Sequence, residues 1–254
     1  AIAGRMESQI RGLNMSIRNT KDGQSLVDTM EGATQEASAM LQRIREIAVQ
    51  SSSGVATTDD KKYLQLEIAE LVKAAAQSFA SLGAKVEEAD PGLGDQHDLF
   101  KIFWYAGAAR LQKNMTQSDL EQLDPGFREV GLEGAEINLN QYLDAVSERE
   151  VAGTKLNNFF EKYDLLLTPT LPITAFDAGI EFPKDSKMDR WTRWTPFSYP
   201  FNLGRHPAAS IPCGLCSNGL PAGLQIVGPM NCDDKVLAAS GAYESANPIR
   251  IPDL

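Results

Sequence analysis

Histidine and cysteine, two residue types often used in catalysis and metal binding, are scarce in this 254-residue sequence. The two histidines are His97 and His206, and the three cysteines are Cys213, Cys216 and Cys232. The first two cysteines form a single C-x-x-C, but a zinc or redox site needs a second pair or a thioredoxin-like context. We interpret them as small buried residues near a strand end. No spacing of histidine, aspartate or glutamate predicts a metal site, and no cofactor is expected.

Hydrolysis through a nucleophile requires an activated serine and a general base, and the sequence contains no G-x-S-x-G turn. His97 ends the polar run GDQH, which predicts a solvated turn. His206 lies in a loop, where a catalytic role and a plain loop position both stay open. The run SSSG at 51–54 follows a helical stretch and lacks paired glycines, so we interpret it as a loop that ends the helix.

The elements that would position these residues fall into two regions of different composition. Residues 1–65 contain no Trp, Pro or Phe, whereas all 13 prolines, three tryptophans and ten phenylalanines follow them. Apolar residues over 26–47 recur at alternating spacings of three and four, which predicts a helix whose stripe needs a helical partner. We therefore expect an N-terminal all-α, helical hairpin-like segment at 1–66 and a second domain at 67–254.

The second region alternates helices with short apolar runs. Apolar spacing predicts a helix over 68–82 that stops at Gly83, one long helix or two over 142–160, and a closing helix over 234–246. Short, almost fully apolar runs predict buried strands, and a further short strand is expected at 84–89. The buried strands are placed at 164–168, 208–212 and 223–227. Helices alternating with buried strands indicate an α/β fold with helices packed over the sheet.

Charge and hydropathy exclude some classes of partner. The formal net charge of −10 argues against non-specific binding to nucleic acid, because phosphates would repel the chain. No apolar run approaches the roughly 20 residues that span a bilayer, so no membrane association is expected. The sparse, odd cysteine count and the absence of a visible leader indicate a reducing, cytoplasmic location.

Five motifs, in family order, resemble the amidase-signature hydrolases. They are LGA-x-VEE-x-DP at 82–91, YDLLLTPT at 163–170, TPFSYPFNL at 195–203, PAASIPCG at 207–214 and GLPAGLQIVG at 219–228. The resemblance implies a partial amidase-signature fold, which is a mixed sheet flanked by helices, and hydrolysis of amide carbon–nitrogen bonds. That family is known for a catalytic Ser, a second Ser in cis linkage and a Lys, in a stretch that precedes the matched portion. The resemblance therefore implies a fragment without catalytic residues that is inactive alone.

What the matched portion could supply is part of a substrate pocket, because strand ends carry site residues in folds of this kind. We expect Thr168, Thr170, Phe197, Asn202 and Gln225 to be substrate-binding. Core packing and turn formation are the alternative interpretation of these residues. The corresponding partner is a small-molecule amide, bound if the missing part completes the site.

Four motifs in the first region resemble the N-terminal D1 helices of bacterial flagellin. They are IRGLN at 10–14, RN with DG at 18–23, EGA at 31–33 and LQRIREIAVQ at 41–50. The resemblance implies packing against filament helices, and export to the flagellum if the segment functions there. Because the two families do not normally share a chain, we interpret the junction as a chimera. A filament-type structural role and an inactive remnant that oligomerises through exposed sheet edges are the alternatives.

Overall fold

The computed structural model describes residues 58–184 and 186–248, with side chains from Leu64 onward. These residues belong to one compact unit, Ser53–Leu254. In chain order the elements are α1 (Thr58–Ser81), α2 (His97–Gln112), α3 (Gln117–Gln122), α4 (Pro125–Ala135), α5 (Leu139–Phe160), β1 (Leu166–Pro169), a 3₁₀ turn (Trp191–Trp194), α6 (Tyr199–Gly204), β2 (Ala208–Leu215), β3 (Pro221–Val227) and α7 (Asp233–Ala246). The predicted stripe at 26–47, the hairpin-like segment before α1 and the SSSG run lie outside the described residues.

Helix α1 presents one apolar face to the sheet. Ile68, Ala75 and Phe79 are buried along it, at the spacing of an amphipathic helix. The helix ends two residues before Gly83, whose φ of 100° is in the left-handed region that glycine adopts without steric cost. The predicted helix and its stop signal are therefore confirmed, and the helix begins at Thr58.

Helix α1 also runs through the position at which the sequence predicts a domain boundary. Leu64, before that position, packs in one apolar cluster with Cys216. Glu67, after it, accepts hydrogen bonds from the backbone amide and the hydroxyl of Ser217 at 2.8 and 2.9 Å. Side chains from both sides of the position therefore hold α1 against the turn between β2 and β3. The division into two domains there stays a prediction.

The segment after α1 is irregular. Residues 84–89, predicted as a short strand, are all exposed and pair with no strand of the described chain. The prediction is wrong because Val86 is an isolated apolar residue among charged neighbours. The segment therefore has no apolar face that would be stabilised by burial against the sheet. A side chain of the segment, Glu87, accepts a hydrogen bond from the Tyr163 hydroxyl at 2.7 Å and so ties it to the end of α5.

Helices α2 and α4 pack closely against each other, and α5 begins with a capping box. A Cβ on Gly134 of α4 would lie 1.9 Å from the Tyr105 carbonyl oxygen of α2, so glycine allows these two helices to touch. Helix α5 is one 22-residue helix rather than two. Its first turn is closed by a capping box, in which Asn138 and Gln141 each accept the other's backbone N–H at 3.0 Å. None of the described helices is both long and apolar enough to cross a lipid bilayer.

The three strands form one sheet in the order β1-β3-β2, and both pairings are antiparallel. All three predicted strands are found, and β2 continues to Leu215 because a register shift after Pro212 lets the pairing resume. The α/β class is confirmed. Within the described residues the sheet is antiparallel rather than mixed.

The two faces of this sheet differ. On the first face, the register places Leu167, Ile226 and Ala209 in one apolar row, which α1 and α7 cover. The rings of Phe79 and Tyr243, one from each helix, stack there with centroids 5.5 Å apart. This is the main core of the described chain.

The second face changes from apolar to polar along the strands. At one end Leu166 of β1 and Val227 of β3 are paired, and they pack against Leu156 of α5 and Phe201 of α6. The next row on this face is polar. The helices that cover the apolar end therefore lie directly beside a set of hydrogen-bonding side chains.

Candidate substrate-binding site

A row of polar side chains crosses the second face of the sheet. The register pairs Thr168 with Gln225 and Gln225 with Ser210, across β1, β3 and β2. Because directly paired residues project to the same side of a sheet, these three side chains share one face. Thr170, two residues after Thr168, lies on that face as well, and its amide donates to the Gly223 carbonyl oxygen at 2.9 Å. We name Thr168, Thr170, Ser210 and Gln225 the polar row.

Gln225 ties the polar row to the loop before α6. Its side chain is only 6% exposed. The amide nitrogen Nε2 donates to Thr168 Oγ1 at 2.9 Å and to the Phe197 carbonyl oxygen at 2.8 Å. The Thr168 hydroxyl donates in turn to the Pro169 carbonyl oxygen at 3.0 Å. Both amide hydrogens of Gln225 are occupied, so its oxygen Oε1 is the atom that retains capacity for a further hydrogen bond.

Thr170 and Ser210 form a pair of hydroxyls with their oxygens 2.7 Å apart. Gly223 makes room for them, because a Cβ there would lie 2.7 Å from Thr170 Oγ1 and 3.2 Å from Ser210 Oγ. Ser210 is exposed, so the pair is open to solvent. The sequence did not identify Ser210, since its place in the row depends on the pairing of β2 with β3.

The structure brings the predicted site residues together, with the exception of Asn202. Phe197 takes part through its carbonyl oxygen rather than its ring. Asn202 is exposed on α6, where its Nδ2 donates to the Ser198 carbonyl oxygen of its own turn at 3.2 Å. That hydrogen bond fits the turn-forming interpretation of Asn202. Substrate binding by all five predicted residues stays a prediction.

The sequence profile of the Amidase family matches residues 14–237. The chain belongs to the amidase family. A glutamyl-tRNA(Gln) amidotransferase subunit from Prochlorococcus marinus (strain MIT 9211) is 28% identical over 216 residues, which are 74% of this chain and 43% of that protein.

The fold has relatives among solved structures of the same family. A bacterial aryl acylamidase of the amidase-signature enzymes superimposes with a TM-score of 0.62 at 29% sequence identity. The similarity covers 73% of this chain and 41% of the acylamidase. This amidase-family chain therefore spans less than half the length of the relatives that it matches.

A second similarity is shorter. The flagellar filament 31.3 kDa core protein of Treponema maltophilum is 44% identical over 72 residues, which are 28% of this chain and 25% of that protein. This supports the flagellin resemblance in part. The amidase match begins at residue 14, inside the region that carries the flagellin motifs. The chimera stays a hypothesis.

His97 is part of the scaffold of this amidase-family chain. It was predicted to be solvated but is 4% exposed at the start of α2. Its Nε2 lies 2.9 Å from Thr192 Oγ1 and its Nδ1 lies 3.2 Å from an Asp98 carboxylate oxygen. The order Asp, His, Thr looks like a hydrolytic triad, but Thr192 is 1% exposed and out of reach of a substrate. The prediction is wrong because the ring bridges α2 and the 3₁₀ turn, a contact that no local pattern encodes.

His206 is buried just before β2. Its ring stacks on Phe160 with centroids 5.3 Å apart. Neither ring nitrogen has a hydrogen-bond partner among the described residues. Burial lowers the pKa of His206, so the neutral imidazole is favoured. The loop position expected for it is correct, and its burial was not foreseen.

Arg190 holds the loop that leads to the Phe197 carbonyl group. Its guanidinium group contacts the Glu129 carboxylate of α4, and its Nη1 lies 3.5 Å from the Glu181 carboxylate. Trp194 Nε1 donates to the Glu181 carbonyl oxygen at 3.0 Å. These contacts fix the position of the 3₁₀ turn. That turn then positions the Phe197 carbonyl oxygen, which accepts a hydrogen bond from Gln225. The contacts join residues far apart in sequence, so spacing did not predict them.

Two of the three cysteines, Cys213 and Cys216, pack in apolar clusters. Cys213, Cys216 and Cys232 are free thiols. Burial raises the pKa of Cys213 and of Cys216 to about 11, so little thiolate forms at neutral pH. Their position in and beside the end of β2, against α1, agrees with the interpretation as small buried residues. Across residues 58–184 and 186–248, no group of three His, Cys, Asp or Glu side chains is placed to hold a metal ion.

Proposed function

We propose that this chain forms one wall of the substrate site of an amidase that hydrolyses amide carbon–nitrogen bonds. The polar row carries the proposal. An amide presents an N–H donor and a carbonyl acceptor, and the row offers the complementary Gln225 Oε1 and the Thr170–Ser210 hydroxyl pair. All of these groups are neutral, which favours an uncharged amide beside them. A charged substrate group would lose its hydration there and gain no ion-pair partner in return.

We further propose that the chain alone does not turn over amides. Hydrolysis needs a nucleophile within hydrogen-bond reach of a base, together with donors for the oxyanion. The hydroxyls of the polar row contact each other, Gln225 and a carbonyl oxygen. The lysines for which the structure shows a side-chain hydrogen bond contact groups other than serine. Lys235, for example, donates to the Asp164 carboxylate at 2.8 Å. We assign the catalytic serines and lysine to the part of the relatives that this chain does not cover.

An assay on an aryl amide tests both statements. The purified chain is incubated with p-nitroacetanilide and the release of nitroaniline is followed by absorbance. We expect no release above the buffer rate. Turnover that disappears when one serine of this chain is changed to alanine would contradict the proposal.

A completed domain provides the positive arm. The chain is fused to the portion of the bacterial aryl acylamidase that it does not cover, and the purified fusion is expected to hydrolyse the amide. We place this activity in the cytoplasm. Gln225→Ala should then raise KM. The matched control is Ser245→Ala, because Ser245 is an exposed residue of α7 whose hydroxyl bonds only to its own helix, at the Gly241 carbonyl oxygen. An equal effect of both variants would remove the polar row from the substrate site.

A second proposal is a structural role for residues 1–66, supported by the identity with the flagellar filament core protein. The stripe at 26–47 would pack against helices of a filament or of another copy. Co-sedimentation with flagellar filaments tests this, with the double variant Ile44→Asp, Ile47→Asp as control. If the unmodified chain stays in the supernatant, the role is excluded.

The chimera hypothesis has its own test at the level of the gene. Long sequencing reads across codons 60–75 should show a break in the source genome, or two genes that were joined. One uninterrupted gene, repeated in related genomes, would defeat the hypothesis.

A further inference from the structure

A small cleft lies between α5 and the residues that follow α6, and its volume is about 90 Å³. Arg149, Glu150 and Asn157 line it from α5, and Gly204 and Arg205 line it from the other side. No residue of the polar row lines this cleft. It is therefore a separate candidate for ligand binding, beyond the proposed amide site.

The charges around the cleft favour an anion. Arg149 is largely buried and its guanidinium group lies 5.0 Å from the centre of the Phe103 ring, which holds the side chain in place. Its Nη2 is 3.5 Å from the Glu150 carboxylate, at the limit of a hydrogen bond. Arg205 is exposed and pairs with no carboxylate in the described part of the chain. Two guanidinium groups and one carboxylate leave a single positive charge, which matches a monoanion.

The backbone of Arg205 is unusual for its residue type. It has φ of 59° and ψ of 36°, the left-handed conformation that follows a helix end and that glycine adopts most easily. An arginine there is strained, because its Cβ crowds the next carbonyl group. Glycine would close α6 equally well, so the guanidinium group can be removed without disturbing the helix end.

A buried donor lies behind the cleft wall. A Cβ on Gly204 would be 2.8 Å from His206 Nδ1, so the imidazole lies one atomic layer behind a residue that lines the cleft. Neither nitrogen of that ring has a partner among the described residues. Both of these nitrogens are enclosed and His206 does not line the cleft, so the ring packs behind the backbone of Gly204.

We propose that this cleft binds a small monocarboxylate, held by Arg149 and Arg205, with the buried His206 ring behind Gly204 as a neighbour of the bound anion. A guanidinium group pairs with a carboxylate through two parallel hydrogen bonds, and the cleft has room for a short-chain acid. The carboxylate product of amide hydrolysis belongs to this chemical class.

The two histidines of the chain provide a direct readout. The imidazole signals of His206 and His97 are followed by NMR at pH 7.5 while sodium butyrate replaces sodium chloride at constant ionic strength. We expect a saturable shift of the His206 signal, none for His97, and none for either ring with butyramide, the neutral isostere. An equal response to butyramide, or a stronger one to inorganic phosphate, would overturn the proposal.

Arg205→Gly separates binding from folding, because glycine keeps the left-handed conformation and removes the charge. Its affinity for butyrate should fall about tenfold or more, as expected for the loss of a charge-assisted hydrogen bond. Its melting temperature should be unchanged or higher. Arg205→Lys should retain most of the affinity, and the control Arg110→Gln, at an exposed position of α2, should retain all of it. Unchanged binding by Arg205→Gly would overturn the proposal.

Discussion

The two faces of the three-stranded sheet bury different kinds of side chain: apolar ones on the first face and hydrogen-bonded polar ones on the second. In β3, Leu224 and Ile226 are fully buried under α1 and α7, where only apolar contacts surround them. Gln225, between them in sequence, is almost as buried on the other face but has both amide hydrogens bonded. The same strand thus belongs to an apolar core on one side and to a hydrogen-bonded wall on the other. The burial of Gln225 is tolerated because both of its amide hydrogens find acceptors.

The largest expected effect is on the apolar face. Leu224→Ala removes a fully buried side chain and leaves a cavity, so the free energy of unfolding should fall by about 3 kcal/mol. Urea denaturation of the full chain measures this. Leu237→Ala is the matched control, because Leu237 of α7 is 69% exposed and its loss should cost less than about 0.5 kcal/mol. Similar losses at both positions would mean that this face is not the core.

The polar face should respond next. Gln225→Ala leaves the Thr168 hydroxyl and the Phe197 carbonyl oxygen without their donor, at a cost of about 1–3 kcal/mol in the free energy of unfolding. Gln77→Ala, at an exposed position of α1, is the control and should be close to neutral. If Gln225→Ala were neutral too, the network would not contribute to the stability of the wall.

The pH dependence of stability tests the apolar end of the second face, where His206 stacks on Phe160. Burial lowers the pKa of His206 in the folded state, so below about pH 6.5 the unfolded chain binds the proton more readily. Stability should therefore be complete above that pH and should fall by up to about 1.4 kcal/mol per pH unit as the pH drops towards the folded-state pKa. Urea denaturation at pH 7.5, 6.5 and 5.5 checks this. His206→Phe keeps the stacking and should flatten the profile; an unchanged slope would exclude His206 as its cause.

The smallest effect is expected at the open end of the polar row. Ser210→Ala removes an exposed hydroxyl whose partner Thr170 can turn to water, so the free energy of unfolding should change by less than about 0.5 kcal/mol. The fusion with the acylamidase portion should nevertheless show a raised KM. A large loss of stability would show instead that the Thr170–Ser210 pair is a structural contact.

Much of the local structure could be predicted from the sequence. The apolar runs that became β1, β2 and β3, the stop of α1 at Gly83, and the closing helix α7 all follow from signals within a few residues. The motifs that resemble the amidase family led to the family that the profile match shows. The strand expected at 84–89 failed because it relied on one apolar residue, and His97 was misplaced because its polar neighbours hid a partner far along the chain.

The sequence by itself determined where helices and strands form, which strand positions alternate between apolar and polar, and the family, because these depend on the order of neighbouring side chains. Only the tertiary structure decided that Ser210 joins Thr168 and Gln225, that Asn202 does not, and that His206 lies behind an arginine-lined cleft. Those outcomes depend on strand register and helix packing, and a shift of one residue in register would have turned each side chain of β2 to the opposite face.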